Sequence, residues 1–452
     1  MCRRTWGAAG VLAVSTVFLA SPGTAGHRAK HGRVVAGAEE QSPAVDGWTF
    51  GAVRDEIRPV FLVDPQGGPD GKAALAIAAD QREGLDGYWI KEFPVEGGRH
   101  YRFQAFHKAA GVSRPSRSIY AQIKWTDDKG QLVSEGEHQR YPDLPPDRGT
   151  DEQGWTELSA IYRAPDMATR AEIELRLRWA PGGSVRWGGI SFEETPPPEH
   201  RIVRLAAVHF RPTGGKTPED NRQMFVPLIE QAAEQKADLV VLGECLTYVG
   251  LGLSFADVAE PVPGPSTEFF ARLTKEHDLY LVVPVVERAG HVLYNTAALV
   301  GPDGQLVGKY RKVCLPRGEY DLGITAGSQY PVFQTRFGKV GMMICWDVQF
   351  PQVARKLAEA GAEVIALPIW GGNPKLAAAR AIENQVHLVT STYTDDERWM
   401  KTGVWDLDGN LVVRAKEWGT VAVYEVDLDK THMGFGNIGD FKSRIFREGP
   451  AD

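Results

Sequence analysis

Three residues of unlike chemistry each close an apolar run in the second half of this sequence. Glu244 ends "ADLVVLGE", Lys312 ends the alternating "GKYRK", and Cys345 ends "GKVGMMIC". Taken singly each has an ordinary explanation. A glutamate after a strand caps the next segment, a lysine marks a solvated strand end, and a cysteine in a strand fills core. Together they form an acyl-transfer set. A free thiol, with a pKa of ~8.5, is mostly protonated at neutrality and needs a base before it can attack a carbonyl. A carboxylate shielded from water can accept that proton and return it to a leaving amine. An ammonium beside it can hold the carboxylate in place and stabilise the oxyanion that develops on acylation. The set needs no metal or other cofactor, and neither an HExxH nor a CxxC spacing occurs in the chain.

The ends of apolar strands are where α/β folds place reactive groups, so the surrounding elements must be of that kind. From "IVRLAAVHF" onward, nearly continuous apolar strands alternate with amphipathic helices over about 218–235, 266–277, 351–361 and 374–386. That rhythm predicts an α/β domain whose sheets are covered by helices. The proline-rich "ETPPPEH" at 194–200 separates it from residues 45–195, where short segments alternate apolar and polar residues between Gly, Pro and Asp clusters. In "AEIELRLRW" the inward positions at period two are Ile173, Leu175, Leu177 and Trp179. This front region is expected to be an all-β sandwich or jelly roll. Six of the twelve tryptophans lie between Trp48 and Trp187. Rings such as Trp155 and Trp187 either stack on sugars, which makes the region a glycan contact, or fill the core of a small sandwich.

At the scale of the chain, 452 residues imply two or three domains, and 43% hydrophobic residues are those of a globular protein. Lysine and arginine number 51 against 58 acidic residues, a net charge of −7 with no basic block after the first residues. A nucleic-acid partner is thereby excluded. The N-terminus carries Arg3 and Arg4, an apolar run from Gly7 to Ala20, and the small residues "GTA" at 23–25. These are the parts of a cleaved signal peptide over 1–25, followed by a linker over 26–44, and they predict a secreted or periplasmic protein. A retained anchor is the alternative, although the run is short for a span of roughly 20 residues. Loss of Cys2 would leave Cys245, Cys314 and Cys345, an odd number, so at least one thiol stays free even where disulfides form.

The stretches "LVVLGE", "GKYRKVCLP" and "ICWDVQFPQVARKLAEAGAEVIALP" resemble the nitrilase, or carbon–nitrogen hydrolase, superfamily over about residues 201–430, within a hydrolase domain spanning 201–445. The front region resembles carbohydrate-binding-module-like jelly rolls. The superfamily resemblance implies an αββα sandwich with Glu244, Lys312 and Cys345 as catalytic triad. It further implies Glu319, in "PRGEYDLGITAG", as a second glutamate that positions substrate and lysine. Trp370 falls where relatives line the acyl pocket, and Trp346 directly follows the nucleophile, where the backbone N–H groups of residues 345 and 346 can face an oxyanion. Asp347 reads as a helix cap ahead of Phe350-Pro351. The implied activity is an amidase-type thiol hydrolysis of a small amide or carbamoyl substrate, with nitrile hydrolysis or N-acyl transfer as alternatives on the same triad. A rival of another class is a secreted glycan-binding protein that keeps a degenerate hydrolase scaffold. Many relatives carry histidine where this chain has Cys314; the replacement implies a shifted substrate preference, a regulatory disulfide with Cys345, or an apolar filler. Relatives pair through the helices here at about 351–361 and 374–386, implying a homodimer or larger even oligomer. Ala354, Leu357, Ala358 and Gly361 place small and apolar residues on one face of the first of these.

Overall fold

Alternating residues between 49 and 195 build two antiparallel sheets that share one apolar interior. The computed structural model describes residues 45–135, 138–139, 141–430 and 441–449, so the expected signal peptide and the whole of the expected linker lie outside the described residues. One sheet has four strands in the order Thr49–Ala52, Asp86–Pro94, Arg170–Arg178, Ile119–Thr126. The other has six, in the order Val60–Asp64, Ala74–Ala78, Ser184–Thr195, His100–Ala110, Thr156–Arg163, Asp147–Thr150. Their facing rows meet in a core containing Trp89, Ile123, Ile173 and Leu175 from the first sheet and Ile77, Phe103, Leu158 and Trp187 from the second. The period-two reading holds for Ile173, Leu175 and Leu177, which are buried, but fails at Trp179. The strand stops at Arg178, Trp179 takes a positive φ of 52°, and its half-exposed ring instead lies against the Arg178 guanidinium at 4.2 Å. Trp155 and Trp187 are buried, so neither ring is available to stack on a sugar.

After the prolines at 196–198 the periodicity changes, and with it the architecture. Strands Leu306–Arg311, Val292–Val300, Tyr280–Ala289, Leu239–Val241, Ile202–His209 and Thr420–Asp427 form a third sheet in that order. A fourth runs Val332–Gln334, Lys339–Met342, Val364–Ile369, His387–Thr392, Gly403–Trp405, Leu411–Arg414. The middle strands of each are parallel, with Leu205 opposite Leu239 and Leu239 opposite Tyr280, and Val340 opposite Val364 and Val364 opposite His387. Parallel strands buried on both faces require continuous apolar runs, which these segments have. Leu205, Val241 and Val282 of the third sheet share one buried core with Met342, Val364 and Ala366 of the fourth.

Helices cover the outer faces. Pro218–Glu234 starts at Thr217, whose hydroxyl accepts the Asp220 N–H, and lays Phe225, Ile229 and Ala232 on the third sheet beside Phe270 of the helix Pro265–His277. Pro351–Glu359 and Pro374–Asn384 belong to the fourth sheet. Ala354, Leu357 and Ala358 are buried in this chain's own core, and therefore supply no free face for a second copy. Among the described residues no helix is long and apolar enough to cross a membrane.

Candidate active site

Strand ends bring the candidate residues to one place. Val241 ends its strand, and Leu242 and Gly243 lead to Glu244, which is almost wholly buried. Gly243 is required there: a methyl group on it would lie 2.4 Å from the Tyr393 ring. Arg311 ends the strand before Lys312, whose backbone N–H donates to the Asn295 carbonyl at 2.9 Å and whose side chain is completely buried. Met342 ends the strand that leads to Cys345, the first residue of a short 3-10 turn, Cys345–Gln349. Cys345 takes a φ of 44°, and Cys245, directly after Glu244, one of 47°. A left-handed backbone is unfavourable for a residue with a Cβ and costs of order 1–3 kcal/mol, so two such residues at one site mark imposed geometry.

The polar groups form a closed chain. The Lys312 ammonium donates to Glu244 Oε1 at 3.0 Å and to Glu319 Oε1, in the short helix Arg317–Tyr320. Asn295 Nδ2 donates to Glu244 Oε1 at 2.8 Å and to Glu319 Oε2 at 3.4 Å. The Trp370 backbone N–H donates to Glu244 Oε2 at 3.2 Å. Burial by itself would lower the lysine's pKa, but Glu244 and Glu319 beside it outweigh burial and hold the ammonium protonated well above its ordinary range. Burial raises the Glu319 pKa, against the pull of Lys312. Burial also raises the Cys345 thiol, and the Glu244 charge raises it further. The resting site is thus a neutral thiol beside an ammonium shared by two buried glutamate side chains.

Asp347 does more than cap. It is buried, and burial pushes its carboxyl up to about 6 while three donors stabilise the anion. Those are the Tyr310 hydroxyl at 2.7 Å, the Ile344 N–H at 2.8 Å and the Cys314 N–H at 2.8 Å. The carboxylate caps the 3-10 turn rather than the helix Pro351–Glu359, and ties the elbow to the segment that follows Lys312. Cys314 is a half-buried free thiol packed against the core, raised to about 11 by burial and by Asp347; Cys245 and Cys345 are free as well.

All six residues expected at the site are adjacent to it. Lys312 touches both Glu244 and Glu319, Cys345 feels the charges of Glu244 and Lys312, and Trp346 and Trp370 are partly exposed beside them. Asn295 and Tyr393 escaped notice in the sequence. Asn295 had a signal, a polar residue inside the apolar run "VLYNTAALV". Tyr393, whose ring meets that of Trp370 edge-on at 5.2 Å and 76°, had none. Among the described residues no group of three or more His, Cys, Asp or Glu side chains is placed to hold a metal ion.

The carbon-nitrogen hydrolase family profile matches residues 204–432. The omega-amidase NIT2 of Mus musculus is 30% identical over 252 residues, 50% of this chain and 89% of that protein. A nitrilase of Pyrococcus abyssi is 36% identical over 210 residues, 44% of this chain and 78% of that one. The crystal structure of Saccharomyces cerevisiae Nit3, a member of the nitrilase superfamily, aligns with 50% of this chain and 90% of its own at 25% identity and a TM-score of 0.44. Residues before 204 lie outside the family match.

Proposed function

This chain belongs to the carbon–nitrogen hydrolase family and is an enzyme of non-peptide carbon–nitrogen bonds, and we propose that it is an amidase acting through a cysteine acyl-enzyme. Cys345 Sγ attacks the amide carbonyl while its proton passes to Glu244. The oxyanion is met by the Lys312 ammonium, which Glu319 holds from its other side. Glu244 returns the proton to the nitrogen as the carbon–nitrogen bond breaks and ammonia or an amine leaves. It then takes a proton from water, whose oxygen attacks the thioester; the tetrahedral intermediate collapses to the acid, and the proton returns to the thiolate.

The observation that carries this reading is the fully buried Lys312 shared by two carboxylates at the foot of the cysteine elbow. A lysine in that position is held charged by its neighbours, so it can stabilise negative charge without a proton transfer of its own. The neutral resting thiol supports Glu244 as base, since attack must remove a proton. Steady-state assays on a panel of small amides, N-carbamoyl compounds and nitriles test the reading. Turnover of amides above the other two is expected, and folded protein inert toward all three would count against it. The leader-like first 25 residues support action outside the cytoplasm. N-terminal sequencing of the exported protein should begin at Gly26.

A further inference from the structure

Asn295 touches Glu244, Lys312 and Glu319, yet it takes no part in the steps above. It lies in the strand Val292–Val300 and is almost wholly buried. Its backbone carbonyl accepts the Lys312 N–H at 2.9 Å. Its Nδ2 donates to Glu244 Oε1 at 2.8 Å and to Glu319 Oε2 at 3.4 Å. The Oδ1 of the same carboxamide is buried and has no hydrogen-bond partner among the described residues. A buried acceptor left unpaired destabilises a fold. Turning the carboxamide over would only set its oxygen against two glutamate side chains that also accept. The group is therefore held in place for its donors, at the expense of its acceptor.

Counting lone pairs shows what those donors do. An ionised carboxylate offers two lone pairs on each oxygen. Both on Glu244 Oε1 are taken, by Lys312 Nζ at 3.0 Å and by Asn295 Nδ2. A proton arriving on Oε1 would have to displace one of these donors. Among the described residues Oε2 accepts the Trp370 backbone N–H at 3.2 Å and keeps its second lone pair. The Cys345 thiol lies within hydrogen-bond reach of the Glu244 carboxylate and of that same Trp370 N–H, which puts it on the Oε2 side.

We propose that Asn295 is a positioning residue which, together with Lys312, occupies Glu244 Oε1 and so leaves Oε2 as the atom that takes the Cys345 proton. This rests on the reading of Glu244 as base. The other groups that bear on the pair are the Glu319 carboxyl, the Lys312 ammonium, the Cys345 and Cys245 thiols and the Tyr393 hydroxyl. All of them remain when the Asn295 side chain is replaced. What is lost is one hydrogen bond to an ionised carboxylate, and its loss favours the protonated form.

Alkylation by iodoacetamide reads the base without any turnover. The carbon–sulfur bond forms, iodide leaves with the carbon–iodine electron pair, and the thiol proton goes to Glu244. Rates at Cys345 are followed by mass spectrometry from pH 4 to 9, with Cys245 and Cys314 as internal comparison. In the parent, Cys345 should react fastest, with a rate that falls along an acid limb belonging to the Glu244–Glu319 pair as a whole. Asn295→Leu keeps the shape and removes the donor, and should move that limb up by about one pH unit. Asn295→Asp sets a third carboxyl group beside the two glutamates and should move it further. A limb that stays in place in both variants at unchanged melting temperature overturns the assignment. So does an equal loss of rate at every pH, which is what a packing role would give. If Asn295→Leu does not fold, the shift in Asn295→Asp decides. A parent protein in which Cys345 reacts no faster than the other thiols removes Glu244 as base and the assignment with it. Hydrolysis of propionamide is scored separately: a limb that depends on Asn295 without hydrolysis removes the amidase reading and leaves the assignment standing.

Discussion

Cys345 keeps its proton at rest, because burial and the Glu244 charge both raise its pKa. Nucleophilicity then has to be created at the moment of attack, with Glu244 receiving the proton and Lys312 the developing charge. The residue-scale test separates chemistry from packing. Cys345 is half-buried at a turn, so Cys345→Ala and Cys345→Ser should change stability by at most about 1–2 kcal/mol. Turnover should nevertheless fall by orders of magnitude, since the covalent route disappears. Melting temperature beside turnover decides; a variant that unfolds early or stays active would make Cys345 a packing residue. Lys312→Met should behave differently. It leaves Glu244 and Glu319 facing one another in a buried site with no cation between them, at a cost of roughly 3–5 kcal/mol. Denaturation curves of the two variants should therefore diverge although both are inactive.

At the scale of elements, the site depends on how two turns are pinned. Gly243 lets the chain pass under Tyr393, and Gly243→Ala would drive a methyl group into that ring. Glu244 should shift with it and activity fall by about 10–100-fold, because displacements of an ångström at a reacting centre are expensive. Tyr393→Leu in the same chain should restore part of the loss in kcat, an outcome that general destabilisation would not produce. The second turn is held by Asp347, with one donor from its own turn and two from the stretch around Lys312. Asp347→Asn replaces one acceptor oxygen by an NH2 group facing those donors and should cost roughly 2–3 kcal/mol. It should also change the pH profile. The folded pKa of Asp347 is raised to about 6, against ~3.9 in the unfolded chain. Between those values the folded state holds the extra proton, so the stability linked to this group is complete below about 4 and is lost as pH rises through about 6. Melting temperatures from pH 4 to 7 should show that decline in the parent protein and lack it in Asp347→Asn.

At the scale of the whole molecule, the two halves are joined by the C-terminal helix Phe441–Glu448. Its Arg447 is buried and donates to the carbonyls of Ser116 and Ile119, both at 3.1 Å, to the Pro145 carbonyl at 3.0 Å and to Asp147 Oδ1 at 3.2 Å. Four acceptors of the front region are thus satisfied by one side chain of the other half. Arg447→Ala should cost roughly 2–4 kcal/mol and lower or split the unfolding transition in calorimetry, with kcat on a small amide unchanged. A cleft of about 1440 Å³ lies along this junction, lined by Arg114 and Arg148 of the front region and by Arg355 and Glu359 of the helix after the nucleophile. The outer side of that helix therefore faces this chain's own front region. Even-numbered assembly, expected from the resemblance, loses the support of Ala354 and Leu357, which lie in the core. It stands as a proposal that light scattering decides, a monomeric mass removing it.

What the sequence determined by itself was everything that depends on neighbours along the chain. Alternation at period two, apolar runs of strand length and prolines at helix starts placed Glu244, Lys312 and Cys345 at strand ends and located the four helices to within a few residues. The same local rule failed at Trp179, because where a strand stops is decided by its partners: Arg178 still pairs with Asp86, and Trp179 has already turned away. Tertiary structure alone decided which groups meet. Glu244 is bonded by Asn295, Lys312 and Trp370, which are 51, 68 and 126 residues away, and those separations become contacts only through sheet register and the stacking of one sheet on another. The same holds for the left-handed backbone at Cys345, the three donors on Asp347, the Trp370–Tyr393 ring contact and the Arg447 clamp. The period of a strand is carried by residues two apart, whereas a hydrogen bond between strands from distant parts of the chain is specified by the packing of the whole core, which local sequence does not encode.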